Sequence, residues 1–185
     1  MVERERPCTA EDLATLPEDG LCYALVHGRL VAILPMSDVH GETVIALSLL
    51  IGNFACAHGL GRLYAAKTDF KLTSNPNTVL APDFAFVSRA RVVPREGSFL
   101  PIAPDLAVEV ASPSNSRLEL PEKIALFQVE TRQVWIVYPR RRAVYVYTAE
   151  DQVTIHTDKS VIDGGDLLPN FELPVSQIFA VLDEP

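Results

Sequence analysis

Two acidic residues interrupt stretches that otherwise read as buried strands: Asp83 in VLAPDFAFV and Glu109 in PDLAVEVASPS. A carboxylate within a core strand costs several kcal/mol of desolvation unless a partner compensates it. A divalent cation held between the two would compensate both. An oxygen-only ligand set suits Mg²⁺ or Mn²⁺ rather than zinc. The plainer alternative is that one or both are solvated strand-end residues or pair with an arginine. Lys123, in LELPEKIALF, is by composition an exposed helix lysine. Turned toward two carboxylates, it would keep its charge and steady charge developing on a phosphoryl group. His40, in MSDVHGE, is by default a surface or capping residue in a first helical turn. Beside a metal site it would orient a phosphate or a leaving group.

The elements that must position these residues follow from periodicity and punctuation. Thr9 is expected to cap a short helix through Leu16, with Asp12 as its box partner and Pro17 as its stop. LCYALVHGRLVAIL reads as two strands turning at His27-Gly28. Ser37 or Asp38 opens the longest helix, which runs to about His58 and stops at Gly59. Val44, Leu47, Ile51 and Phe54 give it a buried face. Strands are expected near 61–66, 68–73, 83–88 and 105–111, then a helix from Leu118 to Glu130. Gln133–Tyr138 and Ala143–Thr148 pair around Pro139 and Arg140, a strand follows near 152–157, and Ser176 caps a last helical turn. The order predicts one mixed α/β domain over residues 1–185, a central mixed sheet flanked by helices.

Composition narrows the function classes. Forty-eight per cent hydrophobic residues supply a core for 185 residues. A net charge of −8 excludes a general nucleic-acid coat protein but not an enzyme with a local basic groove. Cys8, Cys22 and Cys56 have no metal-ligand spacing and predict free thiols in a reducing cytoplasm. The charged N-terminus is no signal peptide, and the apolar stretch Val44–Ile51 is too short to span a bilayer.

Taken in order, Tyr23–Leu30, Ser37-x-x-His40, APDFAFV, PDLAVEVASPS, the lysine helix, VWIVYP and DLLPNFELPVSQIF resemble the Uma2 family of restriction-endonuclease-like proteins. The resemblance implies a PD-(D/E)XK nuclease core whose lysine has moved from the strand to the following helix. That displacement accounts for Ala111 where an unmodified motif places lysine. It makes Asp83 the motif aspartate, Glu109 the motif glutamate and Lys123 the migrated lysine, with His40 at a helix start where the family commonly has histidine. One stretch departs from the pattern. The family reads Y-E-L-I-D-G-E where this chain has Tyr23-Ala24-Leu25-Val26-His27-Gly28-Arg29, and the first lost acid, at Ala24, is one that supports the metal site.

The expected activity is therefore Mg²⁺- or Mn²⁺-dependent hydrolysis of phosphodiester bonds in DNA by a homodimer, impaired by Ala24. The rivals are an inactive nuclease-fold protein used for DNA binding or dimerisation, and a metal-binding protein with no nucleic-acid role. Two basic clusters could meet DNA: Arg89, Arg91 and Arg95, and Arg140, Arg141 and Arg142. The first is the preferred one because it follows the Asp83 strand directly.

Overall fold

The computed structural model describes residues 7–16, 22–33, 36–74, 77–95, 97–112, 120–148 and 152–183. Helix α1 (Ala10–Ala14) opens on a capping box, in which Thr9 Oγ1 accepts from Asp12 N at 3.1 Å and Asp12 Oδ2 accepts from Thr9 N at 2.8 Å. Pro17, its expected stop, lies outside the described residues. Strands β1 (Cys22–Val26) and β2 (Arg29–Ile33) form the expected hairpin. Its two turn residues, His27 and Gly28, both have positive φ, at 48° and 74°, which matches the twist of the flanking strands. The left-handed histidine is held from outside the hairpin: His27 N donates to Thr78 Oγ1 and Gly28 N to Asn77 O.

Helix α2 (Asp38–Ala57) begins at Ser37, whose Oγ accepts from His40 N. It ends with Gly59 in the left-handed region at φ 59°. The strands β3 (Gly61–Ala65), β4 (Phe70–Ser74), β5 (Asn77–Leu80), β6 (Phe84–Ser88) and β7 (Leu106–Val110) follow. Helix α3 (Leu120–Gln128) then crosses over to β8 (Gln133–Tyr138), β9 (Ala143–Thr148) and β10 (Val153–Thr157). The chain closes with β11 (Val161–Asp163), β12 (Glu172–Pro174) and α4 (Val175–Phe179). Ser176 lies inside α4 and not at its cap, which is Pro174. A proline at the strand end fixes φ and starts the turn without a side-chain acceptor.

The central sheet has the order β10-β9-β8-β7-β6-β3, with β7 and β8 parallel and the other pairs antiparallel. It is the expected mixed sheet. One face packs on α2 and α4 through Leu47, Ile51, Phe86, Val108, Trp135 and Phe179. The other is covered by α3 and by a second sheet of order β2-β1-β5-β4, where Ala24, Phe70 and Leu80 meet Ala85, Ala107, Ile136 and Phe127. The sequence does not announce this second layer, since β5 starts at the end of the Ser74-Asn75-Pro76-Asn77 run, which reads as loop. Every residue of β7 is buried, as a strand covered on both faces requires. Helix α2 is long and apolar enough by length and composition to cross a membrane. Its Leu47, Ile51 and Ala55 are nonetheless fully buried in the protein core.

Candidate active site

The carboxylates meet at one end of the β6–β7 pair. Phe84 is opposite Val108 in the antiparallel register, and the residue before it, Asp83, comes close enough to Glu109 for its charge to act on that carboxyl. Asp83 is thus in the bend that enters β6 and not within the strand, as the sequence suggested, whereas Glu109 is inside β7 and 4% exposed. The bend supplies donors that a strand would have spent on its ladder. Val110 N donates to Asp83 Oδ2 at 2.8 Å, and His40 Nε2 lies 3.0 Å from the same oxygen. His40 is buried, carried there by the first turn of α2.

Lys123 comes from α3, on the far side of the sheet from α2. Its Nζ donates to Glu109 Oε2 at 2.8 Å, and its side chain is 16% exposed. The surface-lysine alternative is therefore excluded. Burial pushes the Glu109 carboxyl up to about 7, and the Asp83 charge pushes the same way, against the Lys123 and His40 charges. Burial would lower the lysine, but the Glu109 charge and hydrogen bond, then Asp83, leave it above its ordinary value. Glu109 Oε1 is buried with no hydrogen-bond partner among the described residues. Such an orphan costs about 1–3 kcal/mol.

That orphan oxygen is where the residues fit a cation. Among the described residues no group of three or more His, Cys, Asp or Glu side chains is placed to hold a metal. Two carboxylates are nevertheless the protein share that Mg²⁺ ordinarily takes, since it keeps several waters and binds substrate oxygens for the rest. Ala24, on β1, is buried in the apolar layer that covers the Glu109 face of the sheet. No carboxylate enters from that position.

The preferred basic cluster is at the wrong end. Arg89 and Arg91 follow Ser88, the last residue of β6, whereas Asp83 precedes the first. Five residues of strand span about 17 Å. Arg91 is also consumed structurally, donating to Asp105 Oδ1 at 2.8 Å and to Ala103 O at 3.1 Å. In the second cluster Arg142 is in the left-handed region at φ 46° and ties the β8–β9 turn to Asp158 and Asp183. Arg140 and Arg141 are exposed and line a cavity of about 610 Å³ together with Ser37, His40, Ser112 and Tyr138. Sequence reasoning missed that cavity. The only signal was the spacing of the Arg run one residue past VWIVYP, which puts it at the same sheet end as Val110 in the parallel neighbour.

Residues 10–176 match the Uma2 family, described as "Putative restriction endonuclease". No curated protein matches the chain. Among solved structures, the fold is similar to a crystal structure described as "a putative nuclease belonging to DUF820 from Anabaena variabilis ATCC 29413". The two share 17% identity and superpose with a TM-score of 0.82, over 95% of this chain and 99% of the other. With the family matched along nearly all of the described fold, the chain belongs to the Uma2 family of restriction-endonuclease-like proteins.

Proposed function

We propose that the chain is a divalent-cation-dependent endonuclease acting on DNA, with Asp83 and Glu109 holding Mg²⁺ or Mn²⁺. The observation that carries this reading is the buried Glu109 Oε1, left without a partner among the described residues on a carboxylate that the Asp83 charge reaches. A bound cation would supply Lewis acidity toward the scissile phosphate and acidify water there. Asp83 is held for that task by Val110 N and His40, both on Oδ2. Lys123 spends one of its three N–H donors on Glu109 and, among the described residues, has the others for a phosphoryl oxygen, where a fixed positive charge stabilises charge that develops in the transition state. Its raised pKa makes it a charge-stabilising group and not a general base. His40 lines the cavity and touches Asp83, so it both orients the carboxylate and meets substrate.

Ala24 favours slow turnover, because one carboxylate fewer weakens the pull on a hard cation. Cutting both strands of a duplex implies a two-fold homodimer. The apolar β8–β9 pair does not form its interface, since Val134, Val137 and Val144 are fully buried within the protomer. Three free cysteines suit a cytoplasmic setting. Incubating supercoiled plasmid with Mn²⁺ and either the natural protein or Asp83→Asn tests the activity. Nicking by the natural protein alone supports it; nicking equal in both, or absent from both, overturns it.

A further inference from the structure

We infer that the cavity between the start of α2 and the β8–β9 turn seats one unpaired nucleotide of a DNA strand, with Arg140 and Arg141 gripping its phosphates. The inference deepens the nuclease reading and rests on it for the identity of the polymer. Three observations carry it. The cavity shares His40 with the carboxylate site, so whatever fills it lies beside the Asp83–Glu109 pair. Its volume of about 610 Å³ is that of a small-molecule pocket and admits a nucleotide but not a paired helix. Among the described residues neither Arg140 nor Arg141 forms an ion pair with a carboxylate, while their neighbour Arg142 is matched by Asp158 and Asp183. Two guanidinium groups without an ion pair among the described residues, on a protein of net charge −8, mark a local anion site.

The lining also suits a base. Leu120, Val39 and Pro139 are apolar, and the Arg141 guanidinium lies 5.3 Å from the centre of the Tyr138 ring. Stacked aromatic and guanidinium planes accept any base by its π-face, without sequence readout. Asp38, at the cavity rim, is the one acidic residue among the described lining residues, and its Oδ1 already accepts from Val39 N at 2.7 Å. The substrate class that follows is a single strand, or a duplex with an unpaired segment, in preference to an intact duplex.

Fluorescence anisotropy with a short fluorescein-labelled oligonucleotide in EDTA, single-stranded or annealed to its complement, tests this without cation or cleavage. The single strand should bind more tightly than the duplex. Arg140→Ala/Arg141→Ala should flatten the slope of log affinity against log salt by about 1.4, since each phosphate contact on a single strand adds about 0.7. Arg89→Ala, at the far end of β6, should leave the slope unchanged. Both arginines are exposed, so the double variant keeps its fold, which a thermal melt verifies. An unchanged slope in the double variant, or a preference for duplex, overturns the inference. Asp83-dependent nicking with no arginine-dependent binding sinks this inference alone, and arginine-dependent binding without nicking sinks the nuclease reading alone.

Discussion

Replacing Lys123 by methionine isolates the electrostatics of the buried pair, because methionine keeps the apolar stem and removes the ammonium. With lysine present the Glu109 carboxyl titrates at about 7. Without it, the ammonium on Oε2 is gone, burial and the Asp83 charge are opposed among the described residues by His40 alone, and the folded state keeps its proton to higher pH. The sign follows from linkage. A carboxyl raised above its unfolded value binds protons in the folded state, so stability falls as pH rises from the unfolded value to the folded one. In the natural protein that fall ends near 7. In Lys123→Met it continues.

The two proteins should therefore be about equally stable near pH 6, where Glu109 is neutral in both. Above 7 the variant should lose about 1.4 kcal/mol per pH unit relative to the natural protein. The gap should level off at no more than about 3–5 kcal/mol, the cost of leaving a buried charge unpaired. Urea unfolding in EDTA across this pH range measures it. A gap that does not change with pH would refute the reasoning, since lost packing alone has no pH dependence. Glu109→Gln in the same background should abolish the slope.

Three further outcomes follow from the site and its frame. Asp105 is buried, which would raise its carboxyl, but the Ser88 N–H and Arg91 hydrogen bonds outweigh that and leave it lowered. Its stabilisation is present above the unfolded carboxylate value and lost as pH falls through the lowered one; Asp105→Asn should cost about 2–3 kcal/mol at neutral pH and less in acid, by urea unfolding. Ala24→Glu should tighten Mn²⁺ binding by about 5- to 150-fold, a contribution of about 1–3 kcal/mol, while lowering apo stability; calorimetry giving equal affinities would mean that this position does not reach the cation. Light scattering should give a dimer mass at tens of micromolar protein, and a monomer would dismiss the two-fold arrangement.

The sequence carried the site as chemistry more fully than as geometry. Glu109 was legible because one carboxylate in an otherwise apolar run has no cheap explanation, and β7 buries all five of its residues. Asp83 was legible by type but misplaced by one position. Pro82 before it ends the loop, and the carboxylate uses the strand-entry bend to collect two donors. The α2 and β1–β2 boundaries were readable because Ser37 and the His27-Gly28 turn act through local backbone chemistry. The partner of Lys123 was readable only through the family resemblance, since a helix lysine is normally solvated and the crossover between parallel β7 and β8 is what turns α3 toward Glu109.

The position of the arginine clusters relative to the carboxylates has a related physical reason. Adjacency in sequence to Asp83 is not adjacency in space, because a strand carries its two ends apart, and an antiparallel neighbour delivers the chain to the opposite end. Arg89 leaves the sheet where Asp105 enters it, which is why Arg91 became that aspartate's partner. β8 runs parallel to β7, so its exit at Tyr138 lies beside the exit of β7 at Val110, next to Asp83 and Glu109. The arginines that follow β8 inherit that location. Topology, which no local pattern encodes, decides which charges meet the carboxylates.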